Sequence, residues 1–391
     1  MKSNYEPLGK HIQLVDYRNS EEVTSTVLGI SIDKEFMPSV ANVIGTDLSR
    51  YKLISKGLFA CNPMHVGRDE RLPIALYEKD SPAIVSPAYF MFEIIDRDVL
   101  NEEYLMMWFR RPEFDRECWF MTDGSVRGGI TWDDLCRIKL PVPSYARQCE
   151  IVESYRAITD RIALKRAEND NLVTSGIAAI SSVIGKAALI NATEADLLRL
   201  NLSENYSVKT VSEYCSETKS GSTPSRTVSD YWLNGTIPWV KSGEVHNNIT
   251  LQTEERITQS GLEGSSAKLL PIDTVLMAMY GVTAGEVGYL GVPATTNQAI
   301  CGMVCHSRSE AAYLYFALIQ SQSEISRLSN GGAQDNLSKN FIDGIKLIVP
   351  TSETLKEMRL PAFIDQMMLN TREIALLEDM QATLLAQLSS R

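Results

Sequence analysis

The sequence predicts an α+β protein. Two globular α/β domains in pseudo-twofold repeat are separated by two long antiparallel helices that form a coiled coil. Three observations predict it. The chain resembles itself at a period of about 205–207 residues, far longer than a solenoid repeat. Each copy ends in a long segment almost free of helix breakers. A length of 391 residues is too great for one ordinary domain and suits two of about 150. Residues 1–144 and 205–351 are read as the globular domains, 145–190 and 352–391 as the helices, and 191–204 as a polar linker.

In the first copy, Tyr104-Leu105 opens a helix-like apolar run, followed by Gly128-Gly129 and by Thr131-Trp-Asp-Asp134. A threonine hydroxyl there can cap the free N–H groups of one helical turn. Ile138-Lys-Leu-Pro-Val-Pro-Ser144 reads as a short strand stopped by proline, which removes a ladder donor. From about Ala146 to Ala188, Ile151, Tyr155, Ile158, Ile162 and Leu172 mark an amphipathic seam, interrupted at Lys165 and Asn169. The second copy repeats the series: Tyr313-Leu314, Gly331-Gly332, Ser338-Lys-Asn-Phe341, then Ile345-Lys-Leu-Ile-Val-Pro-Thr351. Its helix, from about Glu353 to Leu388, carries Phe363, Met367, Asn370, Ile374, Leu377, Met380, Leu384 and Leu388. Pro361 marks a kink or a late start in it. Ala157–Asp160 aligns with Ala362–Asp365, and Glu168 with Glu373. A 40-residue helix spans roughly 60 Å, and an apolar seam of that length needs a partner, so the two helices are expected to pair.

Composition narrows the class. No apolar run reaches the ~18 residues of a membrane span, and the start of the chain lacks the apolar core of a secretory signal. A cytoplasmic protein without membrane contact is the expectation. Seven cysteines at irregular spacing argue against a disulfide framework. Cys301-Gly-Met-Val-Cys305-His306 has no second ligand pair at metal spacing and reads as a buried strand, so no metal site is assigned. The net charge is −11, with 17 basic and 22 acidic residues in 1–144 and 10 and 14 in 201–350. A phosphate-binding surface would have to be a local patch, or be shared with a partner protein.

The second globular part carries Lys219-Ser-Gly-Ser-Thr-Pro-Ser-Arg226, Tyr231-Trp-Leu-Asn-Gly-Thr-Ile-Pro-Trp-Val240, Lys241-Ser-Gly-Glu244, Leu276–Gly281 and Thr295-Thr-Asn-Gln-Ala-Ile300. The first carries an analogous series, Gly57–Met64, Val66-Gly-Arg68 and Ile84–Tyr89. In the order of these motifs, and in the Gly-Gly and I-K-L-x-V-P ending of both copies, the chain resembles the specificity subunits of type I restriction-modification systems over essentially its whole length. The resemblance implies two target-recognition domains, each reading one half of a bipartite, asymmetric sequence in double-stranded DNA. It implies helices that dock two methyltransferase subunits, and motor-nuclease (restriction) subunits that complete the enzyme. S-adenosylmethionine, ATP and Mg are then expected on those partners and no cofactor in this chain. Readers on one face of a duplex sit about one turn, roughly 34 Å, apart, which the helices can span.

Base reading draws on Arg and Lys for guanine and on Asn and Gln for adenine. The candidate DNA contacts are Lys52, Lys56, His65, Arg68 and Arg71 in the first domain. In the second they are Lys219, Ser222, Thr223, Ser225, Arg226, Lys241, Tyr280, Asn297, Gln298 and Gln334. Arg110 and Arg111 read as helix-end caps, and Trp232 and Trp239 as core anchors. The seam residues Ile151, Tyr155, Ile158, Ile162, Leu172, Phe363, Met367, Ile374, Leu377, Leu384 and Leu388 are assigned to helix pairing and partner docking. No catalytic residue is assigned. Asn62-Pro63-Met64-His65 is similar to the N-P-P-aromatic motif of amino-methyltransferases but lacks the second proline and the ring that would hold a flipped base. No F-x-G-x-G loop follows a strand, and Gly281–Gly288 has neither P-loop nor dinucleotide spacing. The alternative reading, a freestanding DNA methyltransferase or nuclease with an unrecognised active site, has no motif in its favour. A helix-mediated assembly protein without DNA specificity is the third.

Overall fold

The computed structural model describes residues 5–40, 45–64, 66–122, 128–184, 190–191, 193–199, 201–202, 204–329 and 337–388. The chain divides into two compact units, one of residues 1–161 with 377–391 and the other of residues 162–376.

In the first unit, the strand Tyr5–Pro7 pairs antiparallel with Lys139–Pro141, the first of the proline-stopped endings. Behind this pair stands an antiparallel sheet in the order Ile12–Leu14, Phe90–Ile94, Phe59–Cys61, Ile74–Leu76. A second sheet runs Phe36–Pro38, Val27–Ile30, Ala83–Val85, Lys52–Ile54, with Val27–Ile30 parallel to Ala83–Val85. Asn101 caps the helix Glu102–Phe109 by accepting from the Glu103 and Tyr104 amides. That helix is buried from Tyr104 to Phe109. Its Phe109 ring meets Phe59 and Phe92 edge-on, and those two rings stack on each other. Val152 and Tyr155 of the first long helix join this core, as do Leu384, Leu385 and Leu388 of the last helix.

The second unit repeats the plan. Tyr206–Thr210 pairs with Lys346–Pro350, and a five-stranded sheet runs Glu217–Ser220, Ile300–Val304, Thr274–Ala278, Val287–Leu290, Asn248–Thr250. Its first four strands have the order and antiparallel sense of their counterparts in the first unit. The smaller sheet, Glu255–Ile257, Ile237–Val240, Thr295–Thr296, again has a parallel pair at the equivalent place. In the helix Arg308–Gln320, every residue from Ala311 to Leu318 is fully buried. It has no polar stripe because core surrounds it. Ile180 and Ile184 of the first long helix lie in that core.

Local devices are duplicated as well. Thr131 accepts from the Asp134 amide and Ser338 from the Phe341 amide, each at 3.1 Å, so both capping signals operate as hydroxyl caps. The Tyr104 hydroxyl donates to the Pro141 carbonyl, and that of Tyr313 to the Ile348 carbonyl, each tying the apolar helix to the proline-stopped strand.

The first long helix runs Tyr145–Ile184. The second is not continuous from Glu353: a turn of helix, Ser352–Glu357, is followed by Leu360–Gln387. Arg359 between them has φ 50°, a left-handed conformation that breaks the helix. Pro361 is the second residue of the new helix, where a missing N–H costs nothing, so it marks a late start and not a kink. In the stretch read as linker, Glu194–Arg199 is a helix with Leu197 buried, an anchor that its polar composition concealed.

The seam follows the expected spacing with shifts of one residue. Tyr155 and Ile162 are buried, whereas Ile151, Ile158 and Leu172 are half-buried and Val152 takes the inner place beside Ile151. On the second helix Met367 and Leu388 are buried and Phe363, Ile374, Leu377 and Leu384 half-buried. Ile364 is an inner residue that the reading missed, and Met380 faces solvent. In the first unit Gln381 donates to the Thr159 hydroxyl. In the second, Lys165 and Asn169 meet Asn370.

Candidate nucleic-acid interface

In the second domain the motif segments are neighbours. The Gly221 amide bonds to the Ile300 carbonyl and the Ser222 amide to the Thr296 carbonyl, which lays the Gly-Ser-Thr-Pro-Ser loop along the Thr-Asn-Gln turn. The Thr223 hydroxyl donates to the Gln298 side chain across that line. A Cβ on Gly221 would stand 2.1 Å from the Thr296 hydroxyl oxygen and 2.2 Å from the Asn297 carbonyl oxygen, so only glycine permits this approach. Trp239, on the Ile-Pro-Trp strand, donates its indole N–H to the Ser222 carbonyl, and Trp232 donates to that of Ser225. The two indoles meet edge-on at 5.0 Å. They form the platform of the loop, Trp239 buried and Trp232 half-buried.

On that platform lies Arg226, its guanidinium carbon 3.7 Å from the centre of the Trp232 ring, a cation–π stack. Both its terminal nitrogens bond the Glu255 carboxylate. Lys241 bonds Glu254 and stands 3.6 Å from Glu255. Arg226 above all holds the Glu255 carboxyl below its ordinary range, and Glu254 above all raises Lys241. The Thr283 hydroxyl donates to the Ser242 carbonyl, bringing the turn of exposed Tyr280 and Val282 beside Lys241. Ser225 bonds Thr227, and the Asn297 carboxamide accepts from the Ala299 amide, a local backbone role. Lys219, on the strand leading into the loop, pairs with Glu217 at 2.6 Å. Gln334 and Gly331-Gly332 lie outside the described residues.

In the first domain the Gly-Gly segment meets the Asn62–Gly67 stretch. The Gly67 amide bonds to the Gly128 carbonyl and the Ile130 amide to that of Pro63. Asn62 accepts from the Met64 amide, a turn-forming role. Lys52 is turned inward, donating to the Tyr89 carbonyl at 2.7 Å and 3.8 Å from Asp16. Burial is the main cause of its lowered pKa. Lys56 pairs with Asp80, Arg68 with Asp69 through two bonds, and Arg71 with Asp33. His65 lies outside the described residues. Neither Arg110 nor Arg111 is simply a helix-end cap: Arg110 lies over Tyr155, and buried Arg111 stacks 3.7 Å over Trp108.

Lys52, Lys56, Arg68, Arg71, Lys219, Arg226 and Lys241 all stand within 4 Å of a carboxylate oxygen. The acidic partners Asp16, Asp33, Asp69, Asp80, Glu217, Glu254 and Glu255 were missed as site residues, although the acidic balance of both domains was their signal. Among the described residues no group of three or more His, Cys, Asp or Glu side chains is placed to hold a metal, and no helix is long and apolar enough to cross a membrane.

Residues 203–378 match the family model of the type I restriction modification DNA specificity domain. The chain is 27% identical over 135 residues to the type I restriction enzyme EcoR124I/EcoR124II specificity subunit of Escherichia coli, covering 33% of each chain. It is 26% identical over 139 residues to the type I restriction enzyme HindI specificity subunit of Haemophilus influenzae, covering 34% of this chain and 30% of that one. These matches thus span about a third of each relative's length. In fold, the chain is similar to the crystal structure of the type I restriction-modification system S subunit from M. genitalium, with TM-score 0.55 and 14% identity over 99% of this chain and 96% of that one. Residues 203–378 are thus similar to a type I restriction modification DNA specificity domain, and the fold of the chain is similar to that of a type I restriction-modification S subunit.

Proposed function

We propose that this chain is the sequence-reading subunit of a type I restriction-modification enzyme. Each domain reads one half of a bipartite, asymmetric target in double-stranded DNA, and the long helices dock two methyltransferase subunits. The observation that carries the reading is the duplicated architecture: two domains whose main sheets share one four-strand order, the second matching a DNA specificity domain. Motor-nuclease subunits complete the assembly, whose role is DNA methylation and defence against foreign DNA in the cytoplasm. S-adenosylmethionine, ATP and Mg belong to those partners, and this chain does no chemistry of its own.

The paired cations say how reading works. Arg226 and Lys241 reach DNA by exchanging a carboxylate for a phosphate or a base edge. A cation already paired gains less from a random phosphate than a free one, and this lowers sequence-independent affinity. The stacked guanidinium of Arg226 is preorganised for a bidentate acceptor such as guanine.

Sequencing that detects modified adenines, in cells expressing the chain with its methyltransferase, tests the reading. The expected product is one asymmetric, split motif. Exchanging residues 205–351 for the second domain of another specificity subunit should change one half of it only. No modified motif, or a change in both halves, would overturn the proposal. Binding of S-adenosylmethionine to the purified chain in calorimetry would count for the freestanding-enzyme alternative.

A further inference from the structure

Within the second unit, the apolar seam between the long helices is interrupted by a buried polar layer. There Lys165 and Asn370 are almost wholly buried, 9% and 1% exposed. The Lys165 ammonium donates to the Asn370 carboxamide oxygen at 3.0 Å and to Glu168 at 2.8 Å, and stands 3.4 Å from Glu373. That oxygen also accepts from Gln366 at 3.0 Å, and the Asn370 amide donates to Asn169 at 2.9 Å. Three acceptors surround the three ammonium hydrogens, so the buried charge is satisfied. Lys165 and Asn370 are 205 residues apart, within the repeat period. Each is therefore the other's counterpart in the duplication, and so are Glu168 and Glu373. The helices pair here with their own equivalents.

We propose that the Lys165–Asn370 layer is a register lock, which allows the two helices a single axial alignment. Apolar seam residues cannot do this alone. Ile162, Met367, Ile374 and Leu377 are similar in bulk, and sliding one helix past the other exchanges like for like. Lys165 is different. Moved by one layer it meets Met367 or Ile374, and moved by a heptad it meets Phe363 or Leu377, none of which can accept its hydrogens. Each shift would strip the buried ammonium of its cross-helix acceptors, leaving Glu168 alone, and would take from the buried carboxamide its bonds to Lys165 and Asn169. In a protein whose two readers must match the spacing of a split target, these two are positioning residues. That consequence rests on the proposed function, whereas the lock itself does not.

The test measures alignment without DNA. Nitroxides are attached to ketone-bearing residues introduced at the exposed Asn171 and Leu369, which leaves the native cysteines untouched, and their separation is read by pulsed electron paramagnetic resonance. The otherwise unaltered full chain should give one narrow distance. Lys165→Met with Asn370→Leu should add further distances, arising from helices slid by about 5–10 Å, the rise of one layer to one heptad, with helix content unchanged. Asn370→Asp, which keeps an acceptor for Lys165 and lets the Asn169 carboxamide turn to donate, should restore the single distance. A single unshifted distance in the double variant would overturn the lock. Should that variant fail to fold, Asn370→Leu alone decides: a broadened distribution supports the lock and an unchanged one refutes it. Loss of DNA specificity with a single distance retained would count against the lock and not against DNA reading.

Discussion

Asp115→Ala is predicted to be among the most damaging substitutions in the first unit. Lys34 is 4% exposed and Asp115 11% in their side chains, and the ammonium donates to the carboxylate at 2.6 Å. The same oxygen accepts from the Leu72 amide at 3.1 Å, while the Leu72 carbonyl accepts from Lys34 at 3.0 Å. The alanine leaves a buried cation with one carbonyl and the Phe114 ring at 5.0 Å, and an amide with no acceptor. Breaking a buried pair this way costs about 3–5 kcal/mol. Hydrogen exchange of peptides from Phe59 to Leu76 reads that loss within the unit itself.

Burial is the main cause of the lowered Lys34 pKa, with Asp115 opposing it. In the variant that opposition is gone, and the pKa falls further below the ~10.4 of an unfolded lysine. Between those two values the unfolded chain holds more protons, so the variant's stability should rise as pH rises. Lys34→Met with Asp115→Leu removes both charges and should lie within about 2 kcal/mol of the parent, the remaining cost being the Leu72 groups. If Asp115→Ala costs under about 1 kcal/mol, or as much in the Lys34→Met background as in the parent, Lys34 is not a buried cation held by Asp115.

Three further outcomes are expected. Glu255→Gln should change stability by less than about 1 kcal/mol, since the pair is part-exposed. It should tighten binding of the assembled methyltransferase to non-target duplex, steepening the salt dependence by about 0.9 for one added phosphate contact; anisotropy titrations with no change in slope would remove Arg226 from the DNA face. Gly221→Ala forces a Cβ into the Thr296 and Asn297 oxygens and should destabilise the loop by about 1–3 kcal/mol. Unaltered exchange of the Ser222 amide would refute that packing. Ile374→Asp with Leu377→Asp places charges at half-buried seam positions and should abolish co-elution with the methyltransferase while the globular domains keep their exchange protection; normal co-elution would show that docking does not depend on the seam.

Some of this protein is written locally. A hydroxyl just before a helical run caps the first turn using only residues within a few positions of it, so Thr131 and Ser338 were legible. A proline-stopped strand or a 3–4 apolar spacing likewise depends on neighbours in the chain, and its recurrence at 205–207 residues exposed the duplication and both long helices. Pro361 signalled the late start of the last helix, whereas the left-handed turn at Arg359 that produces it was not legible, because such a residue leaves no mark in composition. Nor was the inward turn of Lys52, which depends on a carbonyl 37 residues away. Seven candidate cations were found by residue type, but their state was not: Arg226 meets Glu255 across 29 residues and Lys241 meets Glu254 across 13. Lys165 and Asn169 read as an interruption of the seam, and only the pairing of two helices turned that interruption into a satisfied buried layer. Spacing and capping belong to the chain alone, whereas charge pairing, burial and register exist only once distant segments share a surface.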